Sequence, residues 1–401
     1  MSKAFRAVKV SERVYWVGAI DWSIRDFHGY STNRGTTYNA YLVMGEKITL
    51  VDTVKRPFRD ELMARISSVV DPASISYVIS NHAEMDHTGC LREVLDAVRP
   101  EKVFASGMGV KALAEHFRLD QEVTAVKEGE VLSLGDRQVT FYETRMLHWP
   151  DSMFSYLSDD EVLFSQDAFG MHLASGERFA DEIPDDVLEF EGARYFGNIL
   201  MCYAPQIKKL LEKVAALGIA PEFIAPDHGP IWRDNLSKIL DAYGRWTAQK
   251  PTKKAVVVYD TMWQSTEKMA QAIVEGLLAG RAQPKLMPLK AFHRSDVAGE
   301  VLEAGALLVG SSTLNNNMLP SVADVLTYLK GLKPLNLVGA VFGSYGWSGE
   351  ATVHVKKILE EMGVDLVDDI LKVKFVPDEE VLDRCFTLGE AVAGRLTREQ
   401  S

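Results

Sequence analysis

The sequence predicts an α/β protein of two successive domains, a layered α/β sandwich followed by a doubly wound parallel sheet. Three observations carry this. The chain's 401 residues suffice for two or three domains. Up to about residue 246, short apolar or alternating segments sit between glycine-containing turns, with helical segments among them, which reads as strands layered with helices. Beyond the polar stretch Thr247-Ala248-Gln249-Lys250-Pro251-Thr252, read as a linker, longer continuous apolar runs are each followed by a Gly/Ser/Thr/Asn loop and a helical segment. Buried parallel strands read this way because both of their faces are covered.

In the first part, strands are expected at Val14 to Val17, Asn39 to Met44 and Ile48 to Asp52, then a helix around Arg59 to Val69. A strand at Tyr77 to Ile79 and a helix at Leu91 to Val98 follow. Further strands are expected around Val103, Val139 to Tyr142, Phe154 to Leu157, Val162 to Phe164 and Phe223 to Ala225, with helices at Gln206 to Leu217 and Asn235 to Trp246. In the second part the strands are Lys254 to Tyr259, Ala306 to Gly310 and Leu337 to Phe342. The two halves show no internal repeat and the chain no low-complexity region.

Composition narrows the class. A net charge of −12 with no Lys/Arg run argues against a nucleic-acid binder. No apolar window approaches a membrane span, and the first six residues lack the apolar core of a signal peptide. The three cysteines (Cys90, Cys202 and Cys385) are scattered; they make no disulfide framework and cannot hold an iron–sulfur cluster or a rubredoxin-type iron. A cytoplasmic protein is expected.

The chemistry is concentrated at strand ends. Asn81-His82-Ala83-Glu84-Met85-Asp86-His87 follows the apolar run Tyr77 to Ile79 and packs imidazoles and carboxylates into one loop, which predicts a metal site. Loops at carboxyl ends of strands are where open α/β folds place their sites. His148, Asp167 and His228 each lie just past another predicted strand end, so all can meet at one edge of the sandwich. His116, His293 and His354 sit in helical or polar contexts and read as ordinary surface or packing histidines. Asp52 reads as a turn cap, and Asp227 invites attention only by adjoining His228.

The second part opens a phosphate-type loop after its first strand, Thr261-Met262-Trp263-Gln264-Ser265-Thr266, leading into a helix. Hydroxyls and backbone N–H groups at a helix N-terminus suit a phosphate. Two further loops, containing Ser312, Thr313, Leu314 and Asn315, and Ser344, Tyr345, Gly346, Trp347 and Gly349, would lie beside it at the switch point of the sheet. Tyr345 and Trp347 offer flat faces to an isoalloxazine ring. With no Gly-x-Gly-x-x-Gly after a strand, the resident cofactor is read as FMN and not NAD.

The order His-x-Glu-x-Asp-His, His, Asp, His-Gly, followed by a Thr-x-Trp-x-Ser-Thr loop, resembles the flavodiiron proteins over nearly the whole chain. The resemblance implies a metallo-β-lactamase-like αββα sandwich at residues 1–248 and a flavodoxin-like doubly wound sheet at residues 253–401. It implies two irons, one taking His82, Glu84 and His148, the other Asp86 and His228, with Asp167 bridging. Zinc hydrolases of the same superfamily commonly carry histidine at the position of Glu84; a carboxylate there shifts the balance toward iron. In the family, the position of His87 coordinates in some members and swings away in others. His28, His87, His172 and Tyr195 are candidates for hydrogen bonding or proton supply near the metals. A glycine often stands at the position of Gln264 in free-standing flavodoxins. The implied activity is reduction of dioxygen to water, of nitric oxide to nitrous oxide, or both, fed by an external donor such as rubredoxin, in a head-to-tail homodimer or a tetramer. Two rival readings are a zinc hydrolase with an accessory flavodoxin domain, and an electron carrier whose metal is structural.

Overall fold

Alternation along the strands decides the layering of the first unit. In Tyr77–Ser80, Val78 packs with the helices Arg59–Ser67 and Leu91–Val98, while Ile79 points the other way, into a core shared by two sheets. Leu42 and Leu50 face the helices as Val78 does; Tyr41, Val43 and Val51 face the second sheet. A strand with two buried faces needs apolar residues on both, hence the near-continuous apolar text. The first sheet has seven strands, mixed parallel and antiparallel, and the second has five, running from Val131–Ser133 to Phe223–Pro226. Phe141, Met153, Val162 and Phe164 supply the second sheet's half of the shared core. Helices Ala204–Ala216 and Ser237–Ala248 complete the α/β/β/α order, Tyr243 packing on Phe169 and that ring on Phe154.

The computed structural model describes residues 4–398. They form two compact units, the first comprising residues 4–27, Thr32–Gly192 and Pro205–Tyr243, the second His28–Ser31, Ala193–Ala204 and 244–398. In the second unit five strand positions run parallel in the order Gln283–Pro288, Lys254–Asp260, Ala306–Ser311, Val338–Tyr345, and then Asp365–Leu366 with Leu371–Lys374 beside the last. The chain crosses to one side of Lys254–Asp260 and then to the other, which makes the doubly wound switch point. The helix Glu379–Arg398 packs on Ser265–Ala279 where Gly276 and Gly389 let the backbones touch; a Cβ at either would strike the other helix's main chain.

Several expectations need correcting. Thr247 and Ala248 are the end of a helix, not linker, and Thr247 and Gln249 are buried. Gln249 accepts from Leu335 N and Asn336 Nδ2 at 3.0 Å each, so this stretch is anchored by hydrogen bonds. The edge strand Gln283–Pro288 escaped notice because it is half polar and carries two prolines, which an edge tolerates. Among the described residues no helix is long and apolar enough to cross a membrane.

Candidate metal and flavin sites

The metal loop is pinned at its root. Asp52, at φ +55°, accepts from Asn81 N at 2.7 Å and Asn81 Nδ2 at 2.9 Å, so it ties two strand ends together and does more than cap a turn. Asn81 Oδ1 in turn accepts from Ser155 Oγ at 2.5 Å. Glu84 stands at the start of the four-residue helix Met85–Thr88 without a side-chain cap hydrogen bond, and Thr88 Oγ1 closes the loop onto the carbonyls of Ala83 and Glu84.

From this frame two donor groups form. His82, Glu84, His148 and Asp167 offer ligand atoms all within 4.8 Å of one another, as do Asp86, His87 and His228. Asp167 stands between them. Its Oδ2 lies 3.3 Å from His82 Nε2 and 3.1 Å from His148 Nε2; its Oδ1 lies 3.3 Å from His87 Nε2 and 3.4 Å from His228 Nε2. Glu84 Oε2 is 3.1 Å from His148 Nε2, and Asp86 Oδ2 is 3.1 Å from His228 Nε2. All but His148 are buried.

The test of fit is the polar atoms left over. Asp86 Oδ1, Asp167 Oδ1 and both nitrogens of His87 are buried without a hydrogen-bond partner, although His87 Nε2 faces the two carboxylate oxygens at 3.4 and 3.3 Å. Buried polar groups ordinarily find partners. The mixed imidazole and carboxylate donors converging on two points fit a pair of cations, and hard carboxylates in both groups suit iron. The protonation of the bare groups tells the same story. Burial disfavours charge on His82, yet the Asp151 and Glu84 carboxylates raise it to about 10. Burial likewise opposes the charge of Asp167, but the surrounding imidazoles hold its carboxyl well below the usual range.

A ring of supporting contacts was not foreseen from the sequence. Asp151 Oδ2 sits 3.0 Å from His82 Nδ1 and accepts from Ala83 N at 2.7 Å. The Thr37 carbonyl is 2.6 Å from His228 Nδ1. Asp227 Oδ2 is 3.4 Å from His87 Nδ1, and burial with Asp52 nearby raises this carboxyl well above its usual value. The signal for Asp151 was present: a carboxylate three residues after His148. His172 packs against His228 with ring centroids 4.7 Å apart, its Nδ1 2.9 Å from Thr36 Oγ1; burial depresses its pKa well below the ordinary value, so it is neutral. His28 is an exposed turn residue at φ +54°, and Tyr195 is buried at the end of Asp185–Tyr195; both belong to the second unit.

The second unit holds a cavity of about 680 Å³ at the carboxyl ends of its strands, within the range of cofactor sites. Met262, Trp263, Ser265, Ser312, Thr313, Asn315, Ser344, Tyr345, Gly346 and Trp347 line it, with Asn316 and Ser348 from the same two loops, joined by Phe375 and Val376, which sequence reasoning missed. Trp263 and Trp347 are 88% and 85% exposed, two flat faces free for a ring. Thr261 Oγ1, beside the helix start at Ser265, is buried without a partner. An orphan hydroxyl at a helix N-terminus fits a phosphate.

Other expected residues stand behind the cavity. Thr266 Oγ1 lies 3.0 Å from both Ser312 Oγ and Ser344 Oγ, a hydroxyl triangle that joins the three loops. Gln264 adopts φ +66°, which explains why flavodoxins favour glycine there. Leu314 and Asn317 exchange backbone hydrogen bonds around Asn315 and Asn316, both left-handed, as in a tight hairpin turn. Gly349, at φ +82°, lets Tyr345 approach; a Cβ there would meet the ring at 3.1 Å.

Comparison with known proteins agrees with this geometry. Residues 36–229 match the ODP family beta lactamase, and residues 257–389 match Flavodoxin. The chain is 48% identical to the rubredoxin-oxygen oxidoreductase of Megalodesulfovibrio gigas, over 98% of both chains. It is 43% identical to the nitric oxide reductase of Moorella thermoacetica, over 97% of this chain and 98% of the other. The crystal structure of the flavodiiron protein from Giardia intestinalis superposes with a TM-score of 0.96 at 32% identity, covering 100% of this chain and 98% of that one. A β-lactamase-type sandwich with paired donor groups, a flavodoxin unit with a ring-sized cleft, and full-length likeness to these proteins place the chain in the flavodiiron family.

Proposed function

We propose that this protein reduces dioxygen to water, nitric oxide to nitrous oxide, or both, at two irons in its first domain, drawing electrons through FMN in its second from a separate rubredoxin-like carrier. The observation that most supports this is Asp167, whose two oxygens face two different buried donor groups at 3.1–3.4 Å. We assign His82, Glu84 and His148 to one iron, Asp86, His87 and His228 to the other, and Asp167 to both. The placement of His87 with Asp86 and His228 supports giving it a ligand's role in this chain. We place the iron domain at residues 1–248 and the flavin domain at 253–401. When bound, the irons supply one-electron exchange and positions for a diatomic ligand, and FMN supplies storage for two further electrons.

The chain's own contribution is positioning and exclusion of water. Asp151 and the Thr37 carbonyl hold the outer ring nitrogens of His82 and His228, so that both Nε2 atoms face inward. Phe27 and Tyr38 wall the second group, their rings 6.2 and 5.9 Å from that of His228. Neutral His172 is suited to hydrogen bonding at the site more than to carrying a positive charge. At the other site, Thr261 and Ser265 are placed to take the phosphate, while Trp263, Tyr345 and Trp347 flank the ring. Exposed Trp263, Trp347 and Phe375 leave an apolar rim that suits a second copy of the chain, in keeping with a head-to-tail dimer. The M. gigas relative's name supports rubredoxin as the type of donor. The relatives do not favour a zinc hydrolase.

Stopped-flow mixing of the fully reduced, iron-loaded protein with dioxygen and with nitric oxide tests the reading. Rapid reoxidation of the flavin by at least one gas is expected. Consumption of neither would overturn it.

A further inference from the structure

Trp149 directly follows His148 in the chain. Its indole stands edge-on to two imidazoles of the first donor group: ring centroids lie 5.2 Å from His82, at 88°, and 6.0 Å from His148, at 67°. It also neighbours His116, exposed at the end of the helix Gly107–His116, with centroids 6.4 Å apart. Trp149 itself is half-buried. One side chain therefore touches the inside of the site and reaches the solvent edge.

We propose that Trp149 is an electron relay that protects the site when dioxygen is reduced with too few electrons on hand. The inference rests on the oxygen-reductase reading above. Dioxygen takes four electrons and four protons to become two waters. A chain whose metals are reduced but whose flavin is not recharged holds two, so a strong oxidant is left in a buried pocket. Indole is among the most easily oxidised side chains. Trp149 gives one electron to that oxygen-derived oxidant, which takes a proton from water, and the indole N–H proton passes to solvent. The external one-electron carrier then returns an electron to the indole, which regains a proton. Two such cycles supply the missing pair.

Tyr38 is the competing donor. It lies edge-on to His228 at 5.9 Å, and its hydroxyl donates to Asp21 Oδ2 at 3.3 Å. It is wholly buried, so a radical there has no direct exchange with a carrier at the surface. The half-buried indole is the better drain.

The test gives the iron-loaded, FMN-containing enzyme two electrons per chain, exposes it to dioxygen and maps oxidised residues by peptide mass spectrometry, with freeze-quench electron paramagnetic resonance for a tryptophan radical. Oxygen-addition products at Trp149, absent when four electrons are supplied, are expected. The Trp149→Phe enzyme, with iron content verified, is expected to lose activity after several-fold fewer turnovers under electron shortage. Oxygen uptake with Trp149 unmodified and no radical, or modification at Tyr38 instead, overturns the relay alone. Absence of oxygen uptake by the fully reduced enzyme overturns the oxygen-reductase reading and the relay with it.

Discussion

Asp151 spends one carboxylate oxygen on both His82 Nδ1 and Ala83 N, so a single side chain aims a ligand and holds the loop that carries Glu84. Replacing it with alanine is expected to weaken iron binding about 10–100-fold, the usual cost of losing such a partner; titration of the metal-free protein with ferrous iron measures this. Asp167→Ala should do more, leaving about two irons per chain reduced to one or none, since one carboxylate serves both groups. Full iron occupancy in that variant would show the bridge to be misassigned. Gly349→Ala places a Cβ against the Tyr345 ring at φ +82° and is expected to cost about 1–3 kcal/mol, read as a fall in melting temperature with weaker FMN binding. The histidines and carboxylates of the site were legible because each follows an apolar run. Trp149 was not, and Asp151 showed only as a carboxylate near His148, because their roles come from contacts with His82, 69 residues away in the case of Asp151.

At the level of elements, the apolar runs marked most central strands to within a few residues, as at Met153–Leu157 and Lys254–Asp260. Short edge strands such as Val131–Ser133 did not stand out, since three residues, two of them exposed, are too few to show an alternation. The phosphate helix Ser265–Ala279 begins beside Thr261, and the Thr261→Ala, Ser265→Ala pair is expected to weaken FMN binding while hardly touching that of riboflavin, which fluorescence titration compares. Trp347→Phe should move the flavin potentials instead. The helix Glu379–Arg398 buries Cys385, and burial pushes that thiol up to about 12. Burial raises Cys90 and Cys202 as well. Because a raised pKa leaves the thiol protonated below it, and the thiolate is the reactive form, iodoacetamide at pH 8 should label the folded protein slowly, with rates climbing as pH rises. Rapid labelling of Cys385 at pH 8 would mean that this helix detaches.

For the whole molecule, stability and function should both depend on what the two sites hold. Free iron about a thousandfold above its dissociation constant adds about 4 kcal/mol by mass action, so chelation should lower the melting temperature in calorimetry. Turnover is expected to be negligible with NADH alone and to appear once a reduced rubredoxin-like carrier is added. If two copies share their sites, mixing an Asp167→Ala chain with a chain unable to bind FMN should restore part of the activity; a strictly monomeric, fully active enzyme would exclude the idea. Two domains were readable from the change in strand style near residue 250. That His28–Ser31 and Ala193–Ala204 pack in the second unit was not, because such membership depends on distant contacts such as Asn198 Nδ2 to Ser295 O.

The glycine seam between Glu379–Arg398 and Ser265–Ala279 also orders events in time. During synthesis the phosphate loop emerges from the ribosome more than a hundred residues before the helix that buttresses it, whereas every donor of the metal loops is already out by His228. Domains fold as they emerge, the earlier first. The nascent chain can therefore gather iron while its phosphate helix still lacks the neighbour that packs on it, and that helix is fully supported only after Glu379–Arg398 has docked.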